Sequence, residues 1–568
     1  MMQYTVLSPW AEVDASAARG LNKRLDTLEG KTIGMFSHFK GHSPYILREV
    51  EKELRKKYEN ISFSYFQYPR DTSELRNDPD FLPAYKEWLS GVDGVIAAYG
   101  DAGSCAMYHA FNTSFVEQSG KPAVMLQKRD ILSSAMRGAS ARHCPHLRFV
   151  LCDLKDLSME PALDDHVIND LIRPNVVPLI DELIDGLTRP LTEEEERVPE
   201  AIGNKYADMT FTGTFEEVND YFYRMGWNHG QPIVPPTREA VDEMLRGTDL
   251  SPDTVIAEIP PMLGKATVEK IAVNAVMAGC KPTHLPVLIA AVKAMVDPKV
   301  HIVGWTCSVA GFAPVFMLNG PIREALGVTS SNNFLSPYGL AKVTIPRAIS
   351  LLIMNISGVR PGFEDNAYTG HEARGGVLFG ENEEASPWEP YHVEEAGLSR
   401  EDSALTMVWA HSRDFLGSCT SAVDGLKKMC SPDDKGAFDP GCTYLISPVW
   451  AQYLKDAGFN SRREVTAYIT EYARKPFGNA PIRWMADNNH APKYVPLPLK
   501  DPSIICRKFW SADHLQVFVA GSEANPRAAV MPGSGDHGGP ACIKIDLPKD
   551  WEQLVKDYPP VTQEFVNY

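Results

Sequence analysis

A cysteine placed where an apolar run gives way to a helix is the residue of this sequence best suited to covalent chemistry. Val92 to Ala98 form the apolar run, and a turn with Gly100 and Gly103 leads from it to Cys105. This order predicts a buried strand, a tight turn and a helix that begins near Cys105. A thiol at a helix N-terminus has a lowered pKa and reacts as a thiolate. We therefore expect Cys105 to be a catalytic residue, against the simpler alternative of a small buried hydrophobe.

Polar residues follow two other predicted strands of the same sheet. His38 and Lys40 lie in the loop after the first strand, and Lys128 follows the fourth. Because the carboxyl ends of parallel strands open on one edge, these side chains should surround the turn. Cations there would favour a thiolate and attract an anionic small molecule. We assign substrate binding to these residues together with the turn residues Asp101, Gly103 and Ser104.

His109 is the second catalytic candidate. It lies four residues after Cys105 and therefore one turn further along the same helical face. An imidazole in that position could exchange a proton with the thiol. The same spacing fits a histidine packed between helix and sheet, and the residues alone leave both interpretations open.

A second polar cluster lies far along the chain. Glu381 and Glu383 are followed by Trp388 and His392, and Asn319 precedes a predicted helix start. Carboxylates and an imidazole near an indole suit an acid–base or metal site, whereas a charged surface loop has the same composition. We assign Asn319, Glu381, Glu383 and His392 to substrate binding and assign no metal ligand.

The elements that must position Cys105 alternate as in a parallel α/β sheet. Strands are predicted at residues 32–36, 61–65, 92–98, 122–126 and 147–152, with helices between them that include 106–116 and 131–141. This alternation predicts a Rossmann-like, more specifically flavodoxin-like, parallel sheet with helices on both faces. A helix over 167–187, bent or broken at Pro174 and Pro178, should close the unit.

The length of 568 residues favours more than one domain. We predict a parallel α/β domain over 1–190, a glutamate-rich linker over 191–210 and a larger mixed α/β domain over 211–568. In the larger domain the small-residue helices at 267–278 and 286–295 should be core. The spacing of elements after residue 304 predicts no particular topology.

Composition excludes several kinds of partner. A net charge of −17 argues against nucleic acid. No apolar run reaches the roughly 18 residues of a membrane span, and Met1 to Trp10 lack a signal-peptide pattern, so we expect a cytoplasmic protein without a membrane partner. Ten cysteines without CxxC pairs fit neither a disulfide scaffold nor a zinc ribbon. Many small-residue helices favour a homo-oligomer.

Cofactor motifs are missing as well. Gly533 to Pro540 are rich in glycine, but they lack the GxxxxGK[ST] pattern and do not lie in a predicted βαβ unit. HExxH and GxSxG are also absent, so the sequence gives no support to a zinc hydrolase or a serine hydrolase. We expect no cofactor.

The turn Gly100-Asp101-Ala102-Gly103-Ser104-Cys105 resembles the motif of the UGSC-type (seleno)proteins. In that family selenocysteine or cysteine, followed by Gly-Ser-Cys, comes after a strand of an α/β domain. Segments 213–245, 259–286, 319–327 and 381–392 are similar to the long second domain that accompanies the motif. Ala102 stands where the family has selenocysteine or cysteine. Either this chain relies on Cys105 alone or has abandoned redox chemistry, or the reactive residue was removed by engineering.

The resemblance implies thiol chemistry at this turn. A selenol or thiol beside a second thiol suggests a redox pair, as at the selenocysteine site of the glycine and proline reductases. We hypothesise a cysteine-dependent small-molecule enzyme, an oxidoreductase or lyase, with its site at residues 100–105 between two domains. The alternatives are a non-redox lyase or hydrolase that uses the second domain's acid–base residues, and a ligand-binding homologue without catalysis.

Overall fold

The computed structural model describes residues 2–14, 20–38, 42–70, 74–155, 157, 165–197, 204–370, 375–431, 441–476, 505–509, 511–533 and 539–561. None of the helices in these ranges combines the length and the apolar character that a membrane span requires. Two parts are distinguished below: an N-terminal α/β unit, residues 20–188, and a C-terminal region, residues 204–561.

The N-terminal α/β unit alternates strands and helices as the sequence predicted. The chain runs through β1 (Tyr4–Leu7), β2 (Thr32–Ser37), α1 (Ser43–Lys57), β3 (Ser62–Gln67), α2 (Leu82–Ser90), β4 (Gly94–Gly100), α3 (Gly103–Gln118), β5 (Ala123–Lys128), α4 (Leu132–Ala141), β6 (Arg148–Cys152), α5 (Arg173–Val176) and α6 (Ile180–Thr188). All five predicted strands and the helices between them are confirmed.

The sheet of this unit has the order β3-β2-β4-β5-β6, and every neighbouring pair is parallel. This is the flavodoxin-like order that the sequence predicted. The connection that leaves β2 turns toward β3, whereas the connection that leaves β4 turns the other way, toward β5. The strand order therefore reverses between β2 and β4.

Both faces of the sheet are covered by helices, which explains why its central strand is a continuous apolar run. All seven residues of β4 are buried. Ile96 and Ala98 pack into one core with α1 and α6, while Val95 and Ala97 pack into the opposite core with α2, α3 and α4. A strand buried on both faces needs apolar residues at every position rather than at alternate ones.

The closing helix is interrupted, as its two prolines predicted. A π-helical turn at Val167–Ile172 leads into α5, a 3₁₀ turn at Val177–Leu179 follows, and α6 completes the segment. Proline has no N–H to donate to the preceding turn, so a regular helix is broken at Pro174 and Pro178.

The first strand lies outside the five-stranded sheet. β1 pairs antiparallel with β7 (Thr210–Gly213), with Tyr4 opposite Gly213, and Val6 belongs to the apolar core of the C-terminal region. Between the two parts, Glu193–Glu196 form the single turn α7, closed by a capping box of Thr192 and Glu195. The glutamate run is therefore a capped helical turn.

The C-terminal region mixes helices with short strands. After α8 (Asn204–Ala207) and β7 come α9 (Phe215–Arg224), α10 (Arg238–Leu245), β8 (Val255–Ile259), β9 (Gly264–Thr267), α11 (Val268–Ala278), α12 (Leu285–Met295), α13 (Ile302–Thr306), β10 (Ala313–Asn319), α14 (Ile322–Ala325), α15 (Leu340–Asn355), β11 (Val377–Gly380), α16 (Tyr391–Ala396), β12 (Ala404–Ala410), β13 (Asp414–Ser418), α17 (Ala422–Cys430), β14 (Cys442–Ile446), α18 (Pro448–Asp456), α19 (Arg462–Tyr472), β15 (Arg474–Pro476), β16 (Ile505–Arg507), β17 (Leu515–Val519), β18 (Arg527–Pro532), β19 (Ala541–Lys544) and α20 (Trp551–Asp557).

Two four-stranded mixed sheets organise this region. One has the order β11-β10-β12-β19 and the other β13-β18-β14-β17. Each contains one parallel pair, β10 with β11 and β14 with β17, among antiparallel ones. The predicted small-residue helices α11 and α12 are confirmed and lie in the largest apolar core.

One helix of the C-terminal region is longer than its sequence pattern predicted. The mainly apolar pattern covers only residues 348–354, but α15 begins at Leu340 and includes Pro346. Lys342 and Thr344 interrupt the apolar pattern there. The helix tolerates both because the buried Lys342 ammonium donates to the Thr329 hydroxyl at 2.9 Å and the Thr344 hydroxyl donates to the Leu340 carbonyl at 3.0 Å.

Candidate functional site

The crevice between the carboxyl ends of β2 and β4 lies where the strand order reverses. In open α/β sheets ligands bind at such a reversal, because the loops on its two sides diverge and leave a gap. Ser37, the last residue of β2, pairs with Ala98 of β4, so the segments that follow these residues flank the crevice. On one side the chain continues to His42 and α1, and on the other to Asp101 and α3.

The turn that carries Cys105 has the predicted strand–turn–helix form. β4 ends at Gly100, and Ala102, with φ −140° and ψ 159°, is the residue before the first turn of α3. Cys105 lies within that first turn and is 6% exposed. Alanine has no side-chain oxygen to accept from the first-turn N–H groups, so the positive end of the 16-residue helix is not capped by this residue.

Two glycines let the turn come close to its neighbours. A Cβ at Gly100 would lie 2.2 Å from Gln127 Oε1 and 3.0 Å from the Cα of Ala106, so only glycine permits this approach of β4, β5 and α3. Gln127 is fully buried, and its Nε2 donates to the Lys128 carbonyl at 3.0 Å. The buried Gln127 amide therefore packs directly against the backbone of the turn at Gly100.

Gly103 forms the closest contact between the turn and the C-terminal region. A Cβ there would lie 2.3 Å from the carbonyl oxygen of Cys307, directly after α13, and 3.2 Å from Cβ of Asn366. The Asn366 amide also donates to the Ser134 hydroxyl at the start of α4 at 2.6 Å. The cysteine turn and the start of α4 therefore contact the C-terminal region.

Further polar contacts hold the two parts together around α3 and α4. The Arg142 guanidinium donates to the Pro261 carbonyl at 3.1 Å, and Arg137 lies 3.4 Å from the buried carboxylate of Glu364. A cleft of about 770 Å³ opens beside this junction, and Tyr108 and Phe111 of α3 line it. Tyr108 follows Cys105 by three residues, so the cleft runs along a helical face adjacent to the thiol.

His42 and Asp101 form a buried pair across the crevice. His42 Nε2 lies 3.1 Å from Asp101 Oδ2, and both side chains are almost fully buried. His42 is the residue that precedes α1, and Asp101 directly precedes Ala102. The backbone N–H of Tyr99 donates to the Ser43 hydroxyl at 3.2 Å, which fixes the start of α1 against the end of β4.

His109 and His38 pack against each other, and His109 lies near enough to Asp101 to interact with its charge. Both rings are fully buried, with centroids 5.1 Å apart, and the His109 ring stacks on Phe36 at 5.3 Å. Burial lowers the pKa of His109 to about 3, although the Asp101 carboxylate opposes the shift. His109 is consequently neutral near pH 7 and a weak base, so the geometry supports the packed alternative for this residue more than the proton-exchange one.

The two predicted lysines do not add a described cation to the turn. Lys128 Nζ lies 3.0 Å from the Asp130 carboxylate, which follows it in the chain. Lys40 is outside the described residues. The remaining predicted residues at this edge, His38, Asp101, Gly103 and Ser104, are all buried around the turn.

The polar cluster of the C-terminal region is a separate, internally paired network. The Glu381 carboxylate is fully buried; it accepts from the Asn319 amide at 2.6 Å, from the Tyr391 backbone N–H at 2.7 Å and from the Arg462 guanidinium at 2.5 Å. Glu383 accepts from Asn319 at 2.8 Å and from the Gly320 backbone at 2.7 Å. These carboxylates join β10, the segment after β11 and α19.

His392 has a local partner. Its Nε2 lies 2.9 Å from the Ser399 carbonyl, and the ring is buried at the start of α16. Among the described residues, no hydrogen bond or ion pair connects Asn319, Glu381, Glu383 or His392 with the 100–105 turn. Their assignment to substrate binding stays a prediction, and the contacts they make are those of a structural network.

A resident metal has no evident ligand set in the described part of the chain. Within those ranges no three His, Cys, Asp or Glu side chains lie where they could hold one ion. The chemistry that the crevice itself offers is that of a thiol, buried imidazoles and a carboxylate.

Sequence reasoning did not single out three residues of this site. His42, Gln127 and Cys307 come from the ends of three different elements and meet only in the folded chain. The Ser43-Pro44 pair was a usable signal for His42, because a proline in the first turn fixes where α1 begins and hence which residue precedes it. No sequence pattern connects Cys307 with Gly103.

Comparison with known proteins adds one assignment. No curated protein matches the chain. The model of the UGSC family matches residues 5–160, which contain β1 to β6 and the Cys105 turn. The further similarity expected for segments after residue 213 lies outside this match. The N-terminal α/β unit of the chain is therefore similar to the UGSC family over residues 5–160.

Proposed function

We propose that the protein is a small-molecule enzyme that uses the Cys105 thiol in the crevice between β2 and β4. The observation that carries the proposal is the position of Cys105 in the first turn of α3, at the reversal of strand order. Ligands bind at this place in open α/β sheets, and a helix N-terminus stabilises the thiolate form of a cysteine. The match of residues 5–160 to the UGSC family model includes the Cys105 turn and supports the same location.

The substrate that suits the crevice is small and carries an anionic group. Helix α1 has 15 residues and helix α3 has 16, and the N-terminus of each helix lies on one side of the crevice. Their positive ends favour a carboxylate or phosphate oxygen. The body of such a molecule can extend along α3 into the cleft that Tyr108 and Phe111 line.

The chemistry we propose is nucleophilic. The thiolate of Cys105 attacks the electrophilic carbon of a carbon–heteroatom bond; the carbon–sulfur bond forms, the carbon–heteroatom bond breaks, and the heteroatom departs with a proton. The resulting thioether or thioester on Cys105 is released when water attacks the same carbon, the carbon–sulfur bond breaks and Cys105 leaves as the thiolate. Ala102 has no group that could form a disulfide with Cys105, so this step involves no exchange between residues 102 and 105.

A substitution series with mass spectrometry tests the proposal. The purified chain is incubated with a panel of small carboxylic acids that bear a carbon–heteroatom bond at the neighbouring carbon, and product formation and peptide adducts are measured. Turnover should disappear in Cys105→Ser, and any adduct should be on the peptide of residue 105. Cys144→Ser is the matched control, because Cys144 is equally buried in the same unit and its pKa is raised to about 12 by burial. Unchanged turnover in Cys105→Ser would refute the thiol mechanism.

A further inference from the structure

We propose that His42 is the proton carrier for Cys105 and that Asp101 positions it. This inference rests on the proposed function and adds the second catalytic group that a thiol mechanism needs. A nucleophilic cysteine is commonly activated by an imidazole that a third group orients. The residues that the sequence suggested for proton exchange did not include His42.

The first argument is the geometry of the pair. His42 Nε2 lies 3.1 Å from Asp101 Oδ2, which leaves Nδ1 as the second ring nitrogen for another proton-exchange partner. The two side chains are 3% and 0% exposed, so the contact between them is shielded from water.

The second argument is that the pair and the thiol lie at the starts of two helices, α1 and α3, that begin on opposite sides of the same crevice. Asp101 is separated from Cys105 by one turn of backbone, and His42 stands at the head of α1. The hydrogen bond from Tyr99 N–H to the Ser43 hydroxyl, at 3.2 Å, keeps α1 against the strand that leads into the cysteine turn. The His42 imidazole, the Asp101 carboxylate and the Cys105 thiol therefore all come from the segments that flank this crevice.

The third argument comes from the other titratable groups around the crevice. His109 on α3 is neutral and weakly basic, and its ring is buried between Phe36 and His38. Tyr99 on β4, whose ring lies 6.2 Å from that of His42, donates its hydroxyl to the Leu154 carbonyl. Lys128, at the end of β5, is paired with Asp130. Of the described groups around the crevice, His42 and Asp101 are thus the ones in which an imidazole and a carboxylate face each other.

In the proposed step, one proton passes from Cys105 through His42 to the leaving heteroatom. The proton on Cys105 Sγ moves to His42 Nδ1, which leaves a thiolate and an imidazolium whose charge the Asp101 carboxylate stabilises. The sulfur electron pair forms the bond to the substrate carbon, and the bond from that carbon to the leaving heteroatom breaks. The heteroatom takes the proton from Nδ1, so His42 returns to its neutral form and Asp101 remains a carboxylate.

The rate of Cys105 alkylation by iodoacetamide, followed by peptide mass spectrometry between pH 5 and pH 10, tests the proposal without a known substrate. An imidazolium partner keeps the thiolate populated at low pH, so wild-type protein should react at pH 6 at least tenfold faster than His42→Gln or Asp101→Asn. The three rates should converge above pH 9, where the thiol ionises unaided. His166→Gln is the matched control and should follow wild type, because the His166–Asp170 pair is exposed and lies elsewhere on the same unit.

The outcomes separate this inference from the proposed function. If wild-type Cys105 reacts readily at pH 6 and both variants match it, the His42–Asp101 assignment is wrong while the thiol site stands. If wild-type Cys105 itself reacts only above pH 8.5, like an ordinary thiol, both proposals fail. Imidazole added to His42→Ala gives an independent readout: it should restore the low-pH rate if His42 carries the proton, and no restoration overturns the assignment.

Discussion

Replacing Gly103 with alanine should separate the cysteine turn from the C-terminal region. The added Cβ would start 2.3 Å from the Cys307 carbonyl oxygen, and real Cβ contacts of this kind are not closer than about 3.0 Å. The Cβ is fixed directly to the backbone of α3, and the oxygen belongs to the backbone of Cys307, so neither atom can rotate away. The start of α3 must therefore move by at least roughly 0.7 Å. A displacement of about 1 Å at reacting groups costs on the order of 100-fold in rate, and the overpacking itself costs about 1–3 kcal/mol.

The assay for this variant compares turnover, Cys105 alkylation and thermal unfolding. We expect Gly103→Ala to lose most of its turnover, about 100-fold by the argument above, and to unfold at a lower temperature. Gly91→Ala is the control, because a Cβ there would have its nearest contact at 3.5 Å, which is ordinary packing. Wild-type turnover in a folded Gly103→Ala would refute the view that the Gly103–Cys307 contact positions the thiol.

Three further predictions concern other parts of the account. Arg462→Met leaves the buried Glu381 carboxylate and the partly buried Glu394 carboxylate without their cation and should destabilise the fold by about 3–5 kcal/mol. Arg463→Ala, which removes the largely exposed partner of Glu395, should change the denaturant midpoint little. Burial lowers the pKa of His109 to about 3, so the contribution of the neutral ring to stability is complete above pH 6.5 and is lost as the pH falls from 6.5 toward 3. The melting temperature of His109→Phe should therefore fall less between pH 6.5 and pH 4 than that of the wild type. Equal falls would contradict the view that His109 is buried in its neutral form. Ala102→Cys places a thiol three residues before Cys105; if the turn activates thiols, the variant should have a second rapidly alkylated thiol, counted by intact mass, and a higher turnover.

The fold of the N-terminal α/β unit was predictable because its signals are local. Strands buried on both faces must be apolar throughout, and β4 has this pattern together with a helix that follows a glycine turn. The interruption of the closing helix followed from two prolines. By contrast, the pairing of β1 with β7 joins residues about 200 positions apart, and nothing in Tyr4–Leu7 specifies that partner.

The position of the candidate site could be predicted from the sequence, but only some of its residues could. The start of α3 and the ends of neighbouring parallel strands could be located from the sequence, and with them Cys105, His38 and Asp101. The pairing of His42 with Asp101 depends on how α1 and α3 splay apart at the reversal of strand order, which local patterns do not encode. For the Glu381 cluster, composition could not predict the contacts: a carboxylate-rich segment has the same composition whether it binds a ligand or pairs with a cation, and only the fold shows the ion pair of Glu381 with Arg462.

The central claim is that Cys105 is a thiolate at neutral pH because of where the fold places it. The direct measurement is the pH dependence of alkylation at Cys105, with Cys430 as the reference within the same protein, since Cys430 is partly exposed and burial raises its pKa. The account predicts half-maximal reactivity of Cys105 below pH 7.5, with iodoacetate reacting at least as fast as the neutral iodoacetamide. A Cys105 profile that coincides with that of Cys430 would contradict it.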